Sequence, residues 1–410
     1  MTPISQRCLG SPLMDLKDVQ VMDREDNTDY VERVMIDFAR LTGLEPVSPH
    51  PIRYLWTDAF AVCNFLELYR RTGDRAYMDL ALKLVAQVHH VLGRHRNDDS
   101  RRGWISGLDD KEGERHPTAG GLRIGKILNE RKAREPADEH LEWEQDGQYF
   151  HYLTKWMHAL NRVGRVTSDP KYSIWAIELA KRANSAFSYT PPGSGRKRMY
   201  WKMSIDLTYP LVLSMGQHDA LDGFVTYNEL KASASENGEG ITLDLTKEIE
   251  DIGMILSLEG LPTDDVLGMG GLITDAARVA QIEQTGVVVR EGLLEALIDA
   301  ALISVGSFSL GGDLRLAAEN RLAFRELGLS IGLKSLPLIR TSLVNPKKRK
   351  ASSGMLQKLT ELDRFSSLGH IIDEFWTSAK NQKATTWSEH REINMVMLAT
   401  SLAPDSFLSI

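Results

Sequence analysis

The feature that most constrains this chain is a helix–turn–helix block that occurs twice. The first copy is LELYRRTGDRAYMDLALKLV, residues 66–85, and the second is HALNRVGRVTSDPKYSIWAIELA, residues 158–180. In both copies an apolar helix ends in a turn with Arg and Gly, and an Asp (Asp74 or Asp169) opens the next helix. Tyr follows three residues after that Asp and Ala four residues after the Tyr. A repeated helical hairpin predicts a stacked or closed array of hairpins.

Composition narrows the class of protein. The chain has 410 residues, of which 42% are hydrophobic and 26% charged, as expected for a folded soluble protein. Its net charge of -7 argues against general nucleic-acid binding, which requires a basic surface, and one KKRK run at 347–350 does not change that. The N-terminus has no apolar segment typical of a signal peptide, and no uninterrupted apolar run reaches the ~20 residues of a membrane span. We expect a cytoplasmic protein with no nucleic-acid or membrane partner.

Helical periodicity and turn residues divide the chain further. Residues 1–29 are polar and irregular and are predicted to form an N-terminal arm, while 30–410 form one domain with a long insertion at 95–145. Within that domain the pattern predicts six hairpins and almost no strand. They span about Trp56–Arg94, Asp146–Phe187, Ser204–Lys231, Leu243–Ile282, Glu291–Leu333 and Met355–Leu402.

Two stretches carry a resemblance to a known superfamily. They are RYLWTDAFAVCNFLELYRRTGDRAYMDLALKLV, residues 53–85, and EWEQDGQYFHYLTKWMHALNRVGRVTSDPKYSIWAIELAKRA, residues 142–183. Helices with an aromatic–Asp start, an L-Y-x-x-T-G-D end and a following Y-x-x-x-A resemble the six-hairpin (α/α)6-toroid glycosidases. That superfamily includes unsaturated glucuronyl hydrolases, many glycoside hydrolases and N-acylglucosamine 2-epimerases. The resemblance implies an all-α (α/α)6 toroid with its substrate in a funnel at one end of the inner helices.

Carboxylates beside aromatic residues at helix starts are the candidate catalytic groups. Hydrolysis of a glycosidic bond needs two carboxyl groups with separated pKa values, one as acid and one as base or nucleophile. Four carboxylates have aromatic neighbours in the sequence: Asp58, Glu144, Asp146 and Asp206. Asp58 and Asp146 also occupy positions where a helix cap is expected, so capping alone is the competing interpretation.

Aromatic and imidazole side chains are the candidate substrate-binding groups. Aromatic faces cover the apolar C–H surface of a sugar ring, and histidines bind its hydroxyls. Those predicted at helix starts and turns are Trp56, Trp143, Tyr149, His151, Trp201, His218 and His390, with Trp104 and His116 predicted on a lid formed by the insertion. Packing between hairpins is the alternative role for the tryptophans.

Three functions remain open from the sequence. The first is a glycoside hydrolase that uses the paired carboxylates. The second is a sugar epimerase or isomerase that uses His151, His218 and His390, since epimerisation requires an acid and a base on opposite faces of the opened sugar. The third is a non-catalytic carbohydrate-binding or scaffold protein. Cys8 and Cys63 do not form a Cys–His cluster with zinc-ligand spacing, so we expect no metal and no cofactor.

Overall fold

The computed structural model describes residues 24–236, 244–287, 289–344 and 353–410. Most of the predicted N-terminal arm, with Cys8, and the KKRK run lie outside these residues. The helices are α1 Arg24–Leu41, α2 Leu55–Thr72, α3 Arg75–Leu92, α4 Asp110–Arg115, α5 Glu139–Glu144, α6 Phe150–Thr167, α7 Pro170–Phe187, α8 Asp219–Glu236, α9 Thr246–Ile255, α10 Val266–Gln284, α11 Leu293–Gly311, α12 Ala323–Lys334, α13 Leu336–Val344, α14 Ser353–Asp363, α15 Ser366–Thr377, α16 Thr385–Ser388, α17 Arg391–Leu402 and α18 Asp405–Leu408.

The two repeated hairpins form as the sequence predicts. Helix α2 ends at Gly73, whose φ of 73° places it in the left-handed region that favours glycine. Asp74 then caps α3, because its carboxylate accepts a hydrogen bond from the Ala76 backbone N–H at 2.9 Å. In the second copy Asp169 caps α7 through the Lys171 N–H, and Pro170 occupies the first helical position.

Among the described residues, six helices form a closed inner ring. Each packs against the next in the order α2, α6, α8, α10, α12 and α17, and α17 returns to α2. A second set packs on the outside: α3 on α2, α7 on α6, α9 on α8, α11 and α13 on α10, α15 on α12, and α1 on α17. The all-α toroid of six helical hairpins is therefore confirmed, and the core lies between the inner and outer helices.

The pairing of the later helices differs from the prediction. The expected hairpins at 243–282 and 291–333 joined α9 to α10 and α11 to α12, whereas α9 packs on α8 and α11 packs on α10. The sixth inner helix, α17, takes α1 from the other end of the chain as its outer partner, and α1 begins at Arg24 rather than after the predicted arm. Helical periodicity identifies each helix, but it does not identify the neighbour against which the helix packs.

Five short strands lie among the described residues. They are β1 Gln148–Tyr149, β2 Ser188–Tyr189, β3 Arg198–Met199, β4 Lys202–Met203 and β5 Pro210–Val212. One of them, β5, occupies the segment expected to begin the third hairpin at Ser204, where the first helix is α8. Strands β1, β4 and β5 form an antiparallel sheet with Gln148 opposite Met203, and β2 pairs with β3. The first sheet joins the start of α6 to the segment between α7 and α8 and places Trp201 beside the inner ring.

Two helical stretches, Leu293–Gly311 and Ala323–Val344, are long and apolar enough to cross a membrane by length and composition alone. Within these two stretches, 50% and 56% of the most apolar window is buried inside the toroid. Two helices of this kind are only weak evidence for a membrane span.

Candidate functional site

A cavity of about 310 Å3 lies where the first turns of α2, α6, α8 and α10 converge. Its polar wall includes His151, Lys155, Gln217, His218, Asp219, Asp222, Thr263, Asp265, Thr274 and Asp275. Trp56, Phe60 and Trp201 supply aromatic wall, and Ile331, Met397 and Phe407 supply apolar surface from α12, α17 and α18. The closed ring thus brings side chains that are far apart in sequence into one partly enclosed space.

Asp219 is a buried carboxyl group in the first turn of α8. Its Oδ2 accepts a hydrogen bond from the Gly216 backbone N–H at 3.1 Å. Burial, together with the neighbouring charge of Asp222, raises the pKa of Asp219 to about 7. Asp219 is consequently a carboxylic acid that can hold its proton near neutral pH.

Asp222, one helical turn later, has the opposite electrostatic environment. Its carboxylate accepts hydrogen bonds from Thr154 Oγ1 at 2.5 Å and from Lys155 Nζ at 2.6 Å. Burial alone would raise the pKa of Asp222, but Lys155 and Arg278 outweigh that effect and hold the pKa below its usual value. Two carboxyl groups three residues apart therefore have pKa values shifted in opposite directions.

Asp275 on α10 is the third buried carboxyl group of the cavity. Arg278 places its Nη1 3.2 Å from Asp275 Oδ1 and 3.7 Å from Asp222 Oδ1, so both carboxylates face one guanidinium nitrogen. Burial, with the charge of Asp222, raises the pKa of Asp275 to about 6. The same Arg278 forms a 2.6 Å ion pair with Glu229, a buried residue that also contacts His158 at 2.9 Å.

His151 forms part of an aromatic stack at the cavity wall. Its ring lies 5.4 Å from Tyr149 and 6.4 Å from Trp201, with interplanar angles of 27° and 15°. Nδ1 lies 3.6 Å from Asp219 Oδ1 and, among the described residues, has no hydrogen-bond partner. Burial lowers the pKa of His151 to about 4, so the imidazole is neutral at physiological pH.

An aromatic path leads from the protein surface into the cavity. Trp143 is 53% exposed and contacts Trp201 edge to face at 5.2 Å. Deeper in, Tyr152 lies 6.5 Å from Trp56, and Trp56 lies 4.5 Å from Phe60. Such a run of rings offers flat apolar faces along the approach to the buried carboxyl groups.

His218 also lines the cavity, in the segment just before α8. Its Nε2 lies 2.8 Å from the Leu261 carbonyl oxygen and donates to it, which leaves Nδ1 as the acceptor nitrogen. Burial lowers the pKa of His218. His151 and His218 are thus two neutral imidazoles in one cavity.

The predicted catalytic carboxylates Asp58 and Asp146 have structural partners instead. Asp58 lies 3.3 Å from the Arg53 guanidinium and accepts a hydrogen bond from the Tyr54 N–H at the start of α2. Asp146 is fully buried and binds Arg123 Nη1 at 2.5 Å and the Gly125 N–H at 3.0 Å. These bonds tie the insertion to the start of α6. Asp58 is not the cap of α2, which is Tyr54, but lies in the first turn and accepts the N–H of that cap residue.

Glu144 and Asp206 also lie away from the cavity. Glu144 is exposed at the end of α5. Asp206 binds Arg101 at 3.0 Å and the Thr208 hydroxyl at 2.6 Å in the turn between β4 and β5. All four predicted carboxylates are described residues and none lines the cavity. Two of the acidic residues that do line it, Asp219 and Asp222, were present in the sequence as QHDALD, residues 217–222, but lacked the adjacent aromatic residues used as the criterion.

The predicted binding residues divide into two groups. Trp56, His151, Trp201 and His218 line the cavity, and Trp143 and Tyr149 contact Trp201. The others, Trp104, His116 and His390, lie elsewhere.

The predicted lid residues pack on the outer helices. Trp104 is buried under Arg94, whose guanidinium carbon lies 4.5 Å from the ring centroid, and it lines a second cavity of about 250 Å3 beside α3 and α7. His116 Nδ1 lies 2.7 Å from Glu178 Oε2 on α7. His390 is at the start of α17 and contacts Phe324 at 5.5 Å. This part of the insertion therefore covers the outside of the toroid rather than the cavity.

The described residues offer no obvious set of metal ligands. Across the described residues, no group of three or more His, Cys, Asp or Glu side chains is arranged to hold a metal ion. Cys63 is a buried free thiol in α2, and burial raises its pKa to about 12.

Comparison with known proteins gives structural similarity only. No protein-family model matches the chain, and no curated protein matches it. A GH76A α-1,6-mannanase from Salegentibacter sp. HEL1_6 is 13% identical, with a TM-score of 0.49 over 92% of this chain and 99% of the other. A cellobiose 2-epimerase from Spirochaeta thermophila DSM 6192 is 12% identical, with a TM-score of 0.45 over 94% and 98%. At these values neither a residue role nor an activity is transferred.

Proposed function

We propose that this protein acts on carbohydrate, as a glycoside hydrolase whose acid and base are Asp219 and Asp222. The observation that carries the proposal is a pair of buried carboxyl groups on one turn of α8 with opposite pKa shifts. A protonated and an ionised carboxyl group in one site are the two partners that glycoside hydrolysis requires. The aromatic wall formed by Trp56 and Trp201 supplies faces for the apolar side of a sugar ring.

The chemistry assigns one step to each carboxyl group. Asp219 donates its proton to the glycosidic oxygen as the bond to the anomeric carbon breaks. The Asp222 carboxylate either attacks that carbon or removes a proton from the water that attacks it. Lys155 and Arg278 keep Asp222 ionised and oriented for this role.

A substitution series tests the assignment. Asp219→Asn and Asp222→Asn are expected to reduce release of reducing sugar from oligosaccharides by about 100-fold or more, since acid–base catalysis contributes about 10²–10⁴-fold. Glu144→Gln is the matched control, because Glu144 is an exposed carboxylate outside the cavity. Full activity in both Asn variants, with intact folding by circular dichroism, would exclude the pair.

Sugar epimerisation is the second candidate, and two cavity histidines favour it. His151 and His218 come from different elements and both are neutral, so one could remove a proton from an opened sugar while a protonated neighbour such as Asp219 returns one. Incubation with free disaccharides separates the candidates by product. A hydrolase releases monosaccharide, whereas an epimerase converts the disaccharide to its C2 epimer without cleavage.

A non-catalytic protein is expected to have a cavity that lacks two carboxyl groups within ~10 Å of each other. That distance covers the carboxyl separations of both retaining and inverting glycosidases. Asp222 and Asp275 contact a single Arg278 nitrogen, at 3.7 and 3.2 Å, and are well inside that limit. This supports the enzyme proposal over a scaffold role. A cytoplasmic location and the lack of nucleic-acid and membrane partners stay predictions from the sequence.

A further inference from the structure

Three glycines lie in the first two turns of α10, where the sequence is VLGMGG. A glycine inside a helix costs about 0.5–1 kcal/mol relative to alanine, so each position calls for a physical reason. Gly270 has one, since a Cβ there would come within 2.0 Å of the Gly328 carbonyl oxygen on α12. Gly268 is also confined, because its Cβ would meet Thr263 at 3.1 Å and His218 at 3.5 Å.

Gly271 is different from its two neighbours. A Cβ built on it meets no heavy atom of the described residues within 4 Å, and its backbone does not have a positive φ. The residue is exposed and lines the cavity. Neither backbone geometry nor protein packing therefore requires glycine at 271, and the space that a side chain would enter belongs to the cavity.

The open space beside Gly271 faces helix α2 across the ring. In the order α2, α6, α8, α10, α12 and α17, helix α10 lies opposite α2. The cavity residues of α2 are Trp56 and Phe60, so this aromatic wall faces a wall in which three glycines expose backbone between the side chains of Leu267, Leu272, Thr274 and Asp275. Asp219 and Asp222 come from α8, which lies between the two walls on one side of the ring.

We propose that Gly271 is a specificity-determining residue, whose bare backbone forms the wall against which the substrate ring lies, opposite Trp56. This inference rests on the proposed function. It identifies the bound group as a sugar ring held between the Trp56 side chain and the Gly271 backbone. A side chain at 271 occupies the volume of that unit. The size of residue 271 therefore sets which sugars enter, without a contribution to the fold.

The test compares Gly271→Ala and Gly271→Leu with Gly306→Leu. Gly306 is the matched control, because it is a helical glycine on the outer helix α11 whose Cβ also meets nothing among the described atoms. All three variants are expected to unfold at or above the parent's urea midpoint, since each replaces a helical glycine with a better helix former. The probes are methyl glycosides of glucose, mannose and galactose, with maltose, cellobiose and α-1,6-mannobiose, and calorimetry measures their affinity.

We expect Gly271→Ala to bind a few-fold more weakly and Gly271→Leu at least about 10-fold more weakly than the parent, which corresponds to about 1.4 kcal/mol. Gly306→Leu should bind as the parent does. Parent-like affinity in Gly271→Leu overturns the role of Gly271 and leaves the proposed function standing. If Gly271→Leu fails to fold, an unchanged affinity in Gly271→Ala overturns it instead. If the parent binds none of these sugars, the proposed function fails and this inference fails with it.

Discussion

Asp219→Asn is expected to stabilise the protein above neutral pH while it removes activity. The pKa of Asp219 is raised in the folded state, from 3.8 to about 7, so the folded protein binds the proton more tightly than the unfolded chain. Stability therefore falls as pH rises from about 4 to about 7 and stays lower above that window. At about 1.4 kcal/mol for each pH unit, the accumulated penalty is about 4 kcal/mol.

Asparagine keeps the shape of the side chain and an oxygen for the Gly216 N–H, but it carries no charge to desolvate. Because burial of the amide itself costs about 1–2 kcal/mol, we expect a net gain of about 2 kcal/mol at pH 8. At pH 5 the parent Asp219 is already protonated in the folded state, so most of that gain disappears.

Urea denaturation at pH 5, 6, 7 and 8 measures this effect, and Asp222→Asn provides a control of opposite sign. The pKa of Asp222 is lowered, so its charge stabilises the fold above the unfolded value of about 3.9, and this stability is lost as pH falls through the folded pKa. Its replacement leaves Lys155 without its carboxylate partner and removes one of the carboxylates around Arg278, and we expect a loss of about 3–5 kcal/mol at pH 7. The reasoning is refuted if Asp219→Asn destabilises the protein at pH 8, or if its effect is the same at pH 5 and pH 8.

Two further predictions concern stability alone. Gly270→Ala should cost about 1–3 kcal/mol in urea unfolding, because its Cβ would overlap the Gly328 carbonyl oxygen and force α10 and α12 apart; Gly271→Ala, one residue later, should cost nothing. Arg53→Met should cost about 3–5 kcal/mol at pH 7, because it leaves the buried Asp58 carboxylate unpaired. Since Asp58 is then protonated more readily, the loss should shrink at pH 5, and a loss that is equal at both pH values would contradict the ion-pair argument.

Local signals in the sequence identified the parts of the fold that depend on neighbouring residues. Gly73, Asp74, Asp169 and Pro170 marked where helices end and begin, because their conformational preferences act within one turn. The pairing of helices was predicted less well. Helix α1 packs on the outside of α17, which lies near the other end of the chain, and nothing in either helix's own sequence specifies that partner.

The sequence also predicted the aromatic and imidazole part of the candidate site, but not its carboxylates. Aromatic residues at helix starts indicated Trp56, His151 and Trp201, since inner-helix starts converge at one end of a toroid. The carboxylates were chosen by aromatic neighbours in sequence, and this criterion selected Asp58 and Asp146, which bind Arg53 and Arg123. Proximity along the chain is a poor guide to a site that is assembled from different hairpins.

The sequence by itself determined that this chain forms helices, that they come as hairpins, and that aromatic and acidic side chains gather at their starts. Only the tertiary structure decided which acids share a cavity and which of them is protonated. A pKa depends on burial and on charges supplied by other helices. Lys155 and Arg278 outweigh burial at Asp222, whereas at Asp219, three residues away, burial outweighs the smaller effect of Lys155 and raises the pKa to about 7. The same holds for Gly271, whose empty surroundings exist only once α10 faces α2 across the closed ring.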